Sequence, residues 1–152
     1  MDEGGGSDSR IHLSASHGGE WVAVAASSSV DVGIDIEPCS RTLSEETDSL
    51  VLSASEQEEL ARLPAESRGT ARLTTWVRKE AVLKATGLGL GVEPALLVFS
   101  GDRVVGYPDR LAPHLGGGVQ VFDTPVVGGH LTALAVLTAS HVDITVHPTM
   151  MA

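Results

Sequence analysis

The sequence predicts an α+β fold, because strand-like and helical segments are grouped along the chain instead of alternating. Short apolar or alternating segments over residues 21–26 and 30–37 have the character of strands. Residues 43–85 then change to a helical period. Further strand-like segments follow over residues 95–100, 103–107, 119–122, 130–137 and 142–146. This grouping disfavours a parallel doubly wound sheet, which requires alternating strands and helices.

The first two strand-like segments are expected to form a hairpin. The three serines at residues 27–29 suit a tight connection between them. Strict alternation in the second segment predicts a half-buried strand with two different faces. One face carries Val30, Val32, Ile34 and Ile36, and the other carries Asp31, Gly33, Asp35 and Glu37.

Two helices are expected within residues 43–85. Ser55 and Glu58 have the spacing of a capping box, and Pro64 limits the helix that they begin. A longer helix is predicted from about Thr70 to Ala85, because Gly87 supplies a C-terminal stop.

Length and composition predict one domain over residues 10–152. A chain of 152 residues is long enough to bury a core. Residues 1–9 are small, polar and glycine-rich, so they are predicted to be disordered. The sequence shows neither an apolar run approaching the roughly 20 residues of a membrane span nor the features of a signal peptide. The lone Cys39 excludes an internal disulfide and favours a cytoplasmic location.

The charge of the chain argues against two classes of partner. A formal net charge of -10 is unsuited to binding nucleic acid or an acidic membrane surface. Among ten basic residues only Lys79 and Lys84 are lysines, and they lie close together. The closeness of the two lysines has two explanations: chance, or a site that needs a compact ammonium group.

Asp35 and Glu37 are neighbours on one face at the end of their predicted strand. Alone, this pattern is typical of a solvated strand face. Two carboxylates held so close repel each other, however, and a hard cation such as Mg²⁺ would relieve that repulsion.

The longer helix favours a site over a solvated face. Its predicted apolar stripe contains Leu73, Trp76, Val77, Ala81 and Leu83. Glu80 and Lys84 fall in the middle of this stripe at i,i+4 spacing, where they could touch. A charged pair on a core-facing stripe is costly unless it is used, and the alternative is a buried structural ion pair. Lys79 is expected on one flank, reaching either a ligand or solvent.

Three carboxylates and a lysine at a junction of sheet and helix predict metal-assisted phosphate chemistry. A metal would bridge phosphate oxygens while the lysine neutralises their charge. Glu80 could also take a proton from an incoming hydroxyl.

Two segments together resemble a known family signature. Residues 32–37 (VGIDIE) and 76–84 (WVRKEAVLK) are similar to the paired motifs of 4'-phosphopantetheinyl transferases of the surfactin-synthetase-activating type. Residues 16–21, 52–56 and 84–89 also resemble segments of that family. The resemblance implies the 4'-phosphopantetheinyl transferase fold, an antiparallel sheet packed on a long helix. It further implies essentially one half of the two-half architecture, shortened at the N-terminus.

The resemblance implies a Mg²⁺-dependent enzyme that transfers the 4'-phosphopantetheine arm of coenzyme A to a serine of an apo acyl or peptidyl carrier protein. It assigns Mg²⁺ to Asp35, Glu37 and Glu80. Glu80 would also activate the serine hydroxyl, directly or through water. The implied coenzyme A contacts are Ser16, His17, Lys79 and Lys84, with Lys84 on the pyrophosphate and His17 on the 3'-phosphate.

The chain departs from the family pattern at Ser14, Gly18 and Val77, and most of all in length. Residues 18–25 and 128–135 share the pattern Gly-Gly-x-x-x-Ala-x-Ala, a faint echo of a duplicated architecture. A single-half relative, holo-acyl-carrier-protein synthase, assembles as a trimer, so self-association as a dimer or trimer is expected here. Two alternatives stay open: a non-catalytic relative that binds coenzyme A or a carrier protein, and a purely structural protein.

Overall fold

The computed structural model describes residues 10–124 and 128–149. The strands in this part are β1 (His12–Gly18), β2 (Trp21–Ser27), β3 (Val32–Pro38), β4 (Val98–Ser100), β5 (Arg103–Gly106), β6 (Gln120–Thr124) and β7 (His130–Val136). The helices are α1 (Asp48–Val51), α2 (Ala54–Arg62), α3 (Ala65–Ala85) and α4 (Ala112–Leu115). Short 3-10 turns occur at Glu45–Thr47, Gly89–Gly91, Pro94–Leu96 and Asp109–Leu111. The predicted disorder of residues 1–9 lies outside the described residues.

All strand pairs in the described part are antiparallel, as an α+β fold predicts. The sheets are β1–β2, β3–β7–β6 and β4–β5. The expected hairpin between β2 and β3 is wrong. β2 pairs instead with β1, across a turn in which Gly19 adopts a φ of 59°. β3 pairs with β7, so that Val32 lies opposite Val136. This strand partner is distant in sequence and leaves no local signal.

Strand β3 is buried on both faces, so the predicted half-buried strand is wrong. Ile34 packs with Ala25 of β2 and Leu134 of β7 on one side. Gly33 faces α3 on the other side, where an added Cβ would lie 2.0 Å from the carbonyl oxygen of Ala81. A glycine is therefore required for β3 to approach the backbone of α3 so closely.

Strand β1 lies beside β3 and contacts it through side chains. The Oγ of Ser14 accepts a hydrogen bond from the backbone N–H of Ile34 (3.0 Å). Ser16 Oγ accepts one from the N–H of Ile36 (3.3 Å). At Gly18, an added Cβ would lie 2.8 Å from the Ile36 carbonyl oxygen. Two of the departures from the family pattern, Ser14 and Gly18, thus shape the contact between β1 and β3.

The helices begin earlier than the sequence predicted. The capping box of α2 is formed by Ser53 and Glu56, two residues before the expected pair. Helix α3 begins directly after Pro64, a position where the missing proline N–H costs no helical hydrogen bond. The predicted end is confirmed, since α3 ends at Ala85 and Gly87 follows with a φ of 74°.

Helix α3 packs against β3 and β7 and lies at the centre of the largest core. Its buried residues meet Ala133 and Ala135 of β7, together with Leu97, Phe99 and Leu111 from later segments. The predicted strand over residues 142–146 is wrong, because this segment has no regular structure; Val142 packs against the core beside β2. Among the helices described, none has the length and apolar character that crossing a membrane requires.

The internal echo falls at corresponding positions in two strand pairs. Its first copy leads into β2 and its second into β7, the later strand of the β1–β2 and β6–β7 pairs. Gly128 and Gly129 have φ values of 57° and 74°, comparable with Gly19. The shared glycines therefore permit the left-handed backbone that precedes each of these strands.

Candidate active site

Asp35 lies at the centre of the candidate site, where β1, β3 and α3 meet. Its side chain is buried, and Oδ1 accepts hydrogen bonds from Lys84 Nζ (2.7 Å) and Ser16 Oγ (2.8 Å). Lys84 also donates to the carbonyl oxygen of Ile34 (3.2 Å). Lys84 therefore pairs across to the strand, not with Glu80 along its own helix as the i,i+4 spacing suggested.

Glu80 is partly buried beside this pair and keeps an unused oxygen. Its Oε1 is buried and has no hydrogen-bond partner among the described residues. Burial raises the pKa of Glu80 above its ordinary value, and the negative charge of Asp35 raises it further, while Lys84 opposes the shift. A carboxylate with a raised pKa and a free oxygen can accept a proton or bind a cation.

Glu37 has a different partner, which sequence reasoning missed. Arg41 forms an ion pair with the Glu37 carboxylate, and its guanidinium carbon lies 5.9 Å from the centroid of the Trp76 ring. Burial raises the pKa of Glu37, and Arg41 opposes that shift. Arg41 lies in a segment without periodicity, so its i+4 spacing from Glu37 is the only signal that could have found it.

The three carboxylates offer the ligands that Mg²⁺ prefers, hard oxygen atoms. Asp35 Oδ2 and Glu80 Oε1 are both buried without a hydrogen-bond partner among the described residues, and a cation would satisfy both. The donor set therefore fits a divalent ion. Within that same part of the chain, however, no group of three or more His, Cys, Asp or Glu side chains is already arranged to hold a metal. Lys84 and Arg41 pair with two of the three carboxylates instead.

Lys79 lies inside the protein, so the prediction that it reaches a ligand or solvent from the flank of the helix is wrong. Its side chain is fully buried, and Nζ donates to Glu56 Oε2 (2.6 Å) and the carbonyl oxygens of Val51 (2.7 Å) and Pro94 (3.1 Å). Burial lowers its pKa, and Glu56 opposes the shift. The helical pattern suggested one buried face, but α3 is also covered on the side that carries Lys79.

Ser16 and His17 lie on opposite faces of β1, as alternation along a strand requires. Ser16 points toward β3 and bonds Asp35. His17 is exposed on the outer face. The structure thus brings Ser16, Asp35, Glu37, Glu80 and Lys84 together, whereas His17 and Lys79 lie apart from this cluster.

Comparison with known proteins identifies the same family as the motifs. Residues 31–107 match the family model described as the 4'-phosphopantetheinyl transferase superfamily. The chain is also 36% identical over 110 residues to a curated Bacillus pumilus protein named 4'-phosphopantetheinyl transferase psf-1. That match covers 68% of this chain and 45% of the relative, so the chain aligns with less than half of that longer protein.

Proposed function

Since the chain belongs to the 4'-phosphopantetheinyl transferase superfamily, we propose that it transfers the 4'-phosphopantetheine arm of coenzyme A. The acceptor is a serine of an apo acyl or peptidyl carrier protein, and 3',5'-ADP leaves. One observation carries this proposal: Asp35 Oδ2 and Glu80 Oε1 are buried beside the ammonium of Lys84 and have no hydrogen-bond partner within the described part of the chain. Such a cluster suits a cation and phosphate oxygens better than it suits an empty core.

Mg²⁺ would be held by Asp35, Glu37 and Glu80, and when bound it would neutralise charge on the pyrophosphate. Glu80 accepts the proton of the carrier serine hydroxyl, directly or through a water molecule. The serine oxygen then forms a bond to the phosphorus that carries the pantetheine arm, and the bond from that phosphorus to 3',5'-ADP breaks. Lys84, whose side chain is 29% exposed, contacts the pyrophosphate and stabilises the departing negative charge.

Two neighbouring residues of β1 have different roles in this proposal. Ser16 holds Asp35 in place through its hydroxyl. His17, exposed on the outer face of β1, would contact the 3'-phosphate of coenzyme A from that face. Lys79 is not proposed as a ligand, because its ammonium is buried against Glu56.

The proposed architecture is a single transferase domain over residues 10–152, equivalent to one half of a two-half enzyme. A dimer or trimer would supply the remainder of the coenzyme site, and the cytoplasm is the proposed location. The outer face of the β1–β2 hairpin offers a surface for such association, since Leu13 is 67% exposed and Val24 62% exposed.

Docking of the carrier protein is expected to rest on apolar contacts. Carrier proteins are commonly acidic and this chain has a net charge of -10, so long-range attraction between them is unfavourable. Leu90, in the loop that follows α3, is 71% exposed and is available for such a contact.

The test is a panel of apo carrier proteins incubated with coenzyme A and Mg²⁺ and analysed by mass spectrometry. We expect at least one carrier to gain the phosphopantetheine arm, and the gain to require Mg²⁺. Glu80→Gln should lower the rate by roughly 10²–10⁴-fold, the usual contribution of a general base. Glu58→Gln is the matched control, because that side chain is exposed on α2. Absence of the arm on every carrier would refute the proposal.

A non-catalytic relative that binds coenzyme A or a carrier protein is the second candidate. It is favoured by the limited length of the match, 45% of the relative, and by the lack of a preformed metal-binding group in the described part of the chain. Calorimetry that detects coenzyme A binding by a chain unable to modify any carrier would support this candidate.

A further inference from the structure

We propose that Arg41 is a positioning residue for Glu37 that neutralises its carboxylate while no divalent cation is bound and is displaced when one binds. The inference rests on the proposed function, because it takes Glu37 as a cation ligand. It adds a residue outside the two sequence motifs, whose contact with Glu37 exists only while no divalent cation is bound.

The first observation is the difference in burial across the Glu37–Arg41 pair. The Glu37 side chain is 13% exposed, whereas that of Arg41 is 41% exposed. Arg41 lies beyond the end of β3, in a segment without helix or strand. The guanidinium thus reaches the carboxylate from the solvent side and can leave without disturbing the core, whereas the carboxylate is held by β3.

The second observation is the position of Trp76, which gives the guanidinium a further contact. The 5.9 Å separation between Arg41 and the indole ring is within the range of a cation–π interaction. The indole N–H makes no hydrogen bond within the described residues, although it lies near enough to Glu37 to favour the charged form of that carboxylate. Any movement of Arg41 therefore changes the surroundings of one tryptophan.

The third observation is which carboxylate oxygens are free. Lys84 bonds Asp35 Oδ1, whereas Asp35 Oδ2 and Glu80 Oε1 are buried and accept no hydrogen bond from any described residue. At Glu37 it is Oε1 that bonds Arg41. A cation bound to Asp35 Oδ2 and Glu80 Oε1 would therefore replace no hydrogen bond of the described residues. To bind Glu37 at the same oxygen it must replace a like-charged guanidinium, since two cations held there would repel each other.

The sequence contains two tryptophans, Trp21 and Trp76. The experiment therefore uses the full chain with Trp21→Phe, so that all tryptophan emission comes from Trp76. Mg²⁺ is titrated with and without coenzyme A, and both Trp76 emission and the heat of binding are recorded. We expect Mg²⁺ to change Trp76 emission when Arg41 is present. Arg41→Gln should remove most of that change and tighten Mg²⁺ binding by roughly 3- to 10-fold, because a competing exposed charge is lost.

Two further variants make the result decisive. Arg62→Gln, which removes an exposed arginine paired at i,i+4 spacing with Glu58, should leave the titration unchanged. Arg41→Lys keeps the charge without the planar group, so it should retain the weaker Mg²⁺ affinity while showing a smaller emission change. It also tests the proposal if the glutamine variant does not fold.

Several outcomes would overturn the proposal. Mg²⁺ affinity that is unchanged or weaker in Arg41→Gln, or heat of binding without any change in Trp76 emission, would show that Arg41 does not compete with the cation. A chain that binds no Mg²⁺ at all would refute it too. If a carrier gains the arm while Arg41→Gln fails to tighten binding, only the role of Arg41 is refuted. If the titration behaves as expected but no carrier is modified, the transferase proposal fails alone.

Discussion

Helix α3 carries two lysines whose surroundings differ in one decisive respect. Lys79 is fully buried, its ammonium reaches three acceptors, and its partner Glu56 is saturated as well, bonding the backbone N–H groups of Ser53 and Phe99. Lys84 is 29% exposed and pairs with Asp35, next to two buried carboxylate oxygens that have no partner among the described residues.

The difference separates a structural ion pair from a candidate site. A buried charge with every hydrogen bond filled stabilises one arrangement of α2, α3 and β4 and has no capacity for another ligand. A charged cluster with open oxygens retains that capacity. Lys79 is the more deeply buried of the two lysines. The oxygens without hydrogen bonds, however, lie beside Lys84, and they identify Lys84 as the lysine of the candidate site.

The largest expected effect is on stability, from Lys79→Met. Removing the ammonium leaves Glu56 buried without its countercharge, so the free energy of unfolding should fall by about 3–5 kcal/mol. Chemical denaturation measures it. The double variant Lys79→Met/Glu56→Gln should recover part of the lost stability. An unchanged denaturation midpoint in the single variant would show that the Lys79–Glu56 ion pair does not stabilise the fold.

Lys84→Met should instead act mainly on the reaction. We expect the transfer rate to fall by roughly 10²–10³-fold, since a charge that stabilises the leaving group is lost. The variant also leaves the Asp35 carboxylate without its countercharge, which should lower stability. Mg²⁺ should restore part of that stability, because it would neutralise Asp35 in place of Lys84. Melting temperatures with and without Mg²⁺ test this. Mg²⁺ should raise the melting temperature of Lys79→Met only as much as that of the parent, because its cation ligands are intact. An equal excess over the parent in both variants would contradict the distinction between the two lysines.

A smaller effect is expected in the pH dependence of the open cluster. Because the pKa of Glu80 is raised in the folded protein, its contribution to stability is complete below about pH 4.5 and is lost as pH rises through the folded pKa. Glu80→Gln should therefore gain stability relative to the parent as pH rises above about 4.5. The transfer rate of the parent should rise over the same range, because the base must be deprotonated. Parallel stability curves for the two proteins would contradict the raised pKa.

The smallest effect is expected at the serines of β1. Ser16→Ala removes the hydroxyl that donates to Asp35 and accepts from Ile36, so stability should fall by about 1 kcal/mol and the transfer rate by several-fold. Ser14→Ala is the matched control, because its hydroxyl bonds only the N–H of Ile34 among the described groups. It should lose comparable stability without the effect on rate. Equal rates in the two variants would show that Ser16 does not position Asp35.

Local patterns predicted the elements of the fold better than their pairing. The end of α3 at Ala85 follows from a glycine signal, and β2 and β7 follow from their apolar character. The partner of β3 could not be found in this way, because β7 lies far away in the sequence. Strand β1 was missed as well, since its sequence HLSASHG alternates with small polar residues that serve as side-chain partners of β3.

The candidate site shows the same limit. Glu80 and Lys84 could be predicted because charges on an apolar stripe need an explanation, and Asp35 because it neighbours Glu37 on one strand face; the structure brings the three together. Lys79 was misplaced because a helical pattern identifies one buried face, whereas α3 is covered on a second side by Val51 and Pro94. Arg41 was missed, since it lies in an irregular segment and its i,i+4 spacing from Glu37 is the one signal that the sequence gives.

The scarcity of lysine has a practical consequence for handling this protein. With two lysines in the sequence, one fully buried and one 29% exposed in the candidate site, Lys84 is the lysine that an amine-reactive reagent can reach. Besides the N-terminal α-amine, surface immobilisation, fluorescent labelling and cross-linking through amines would therefore modify the candidate site. Coenzyme A and Mg²⁺ should slow that modification by covering Lys84, so acylation of a single side chain would report whether the site is occupied.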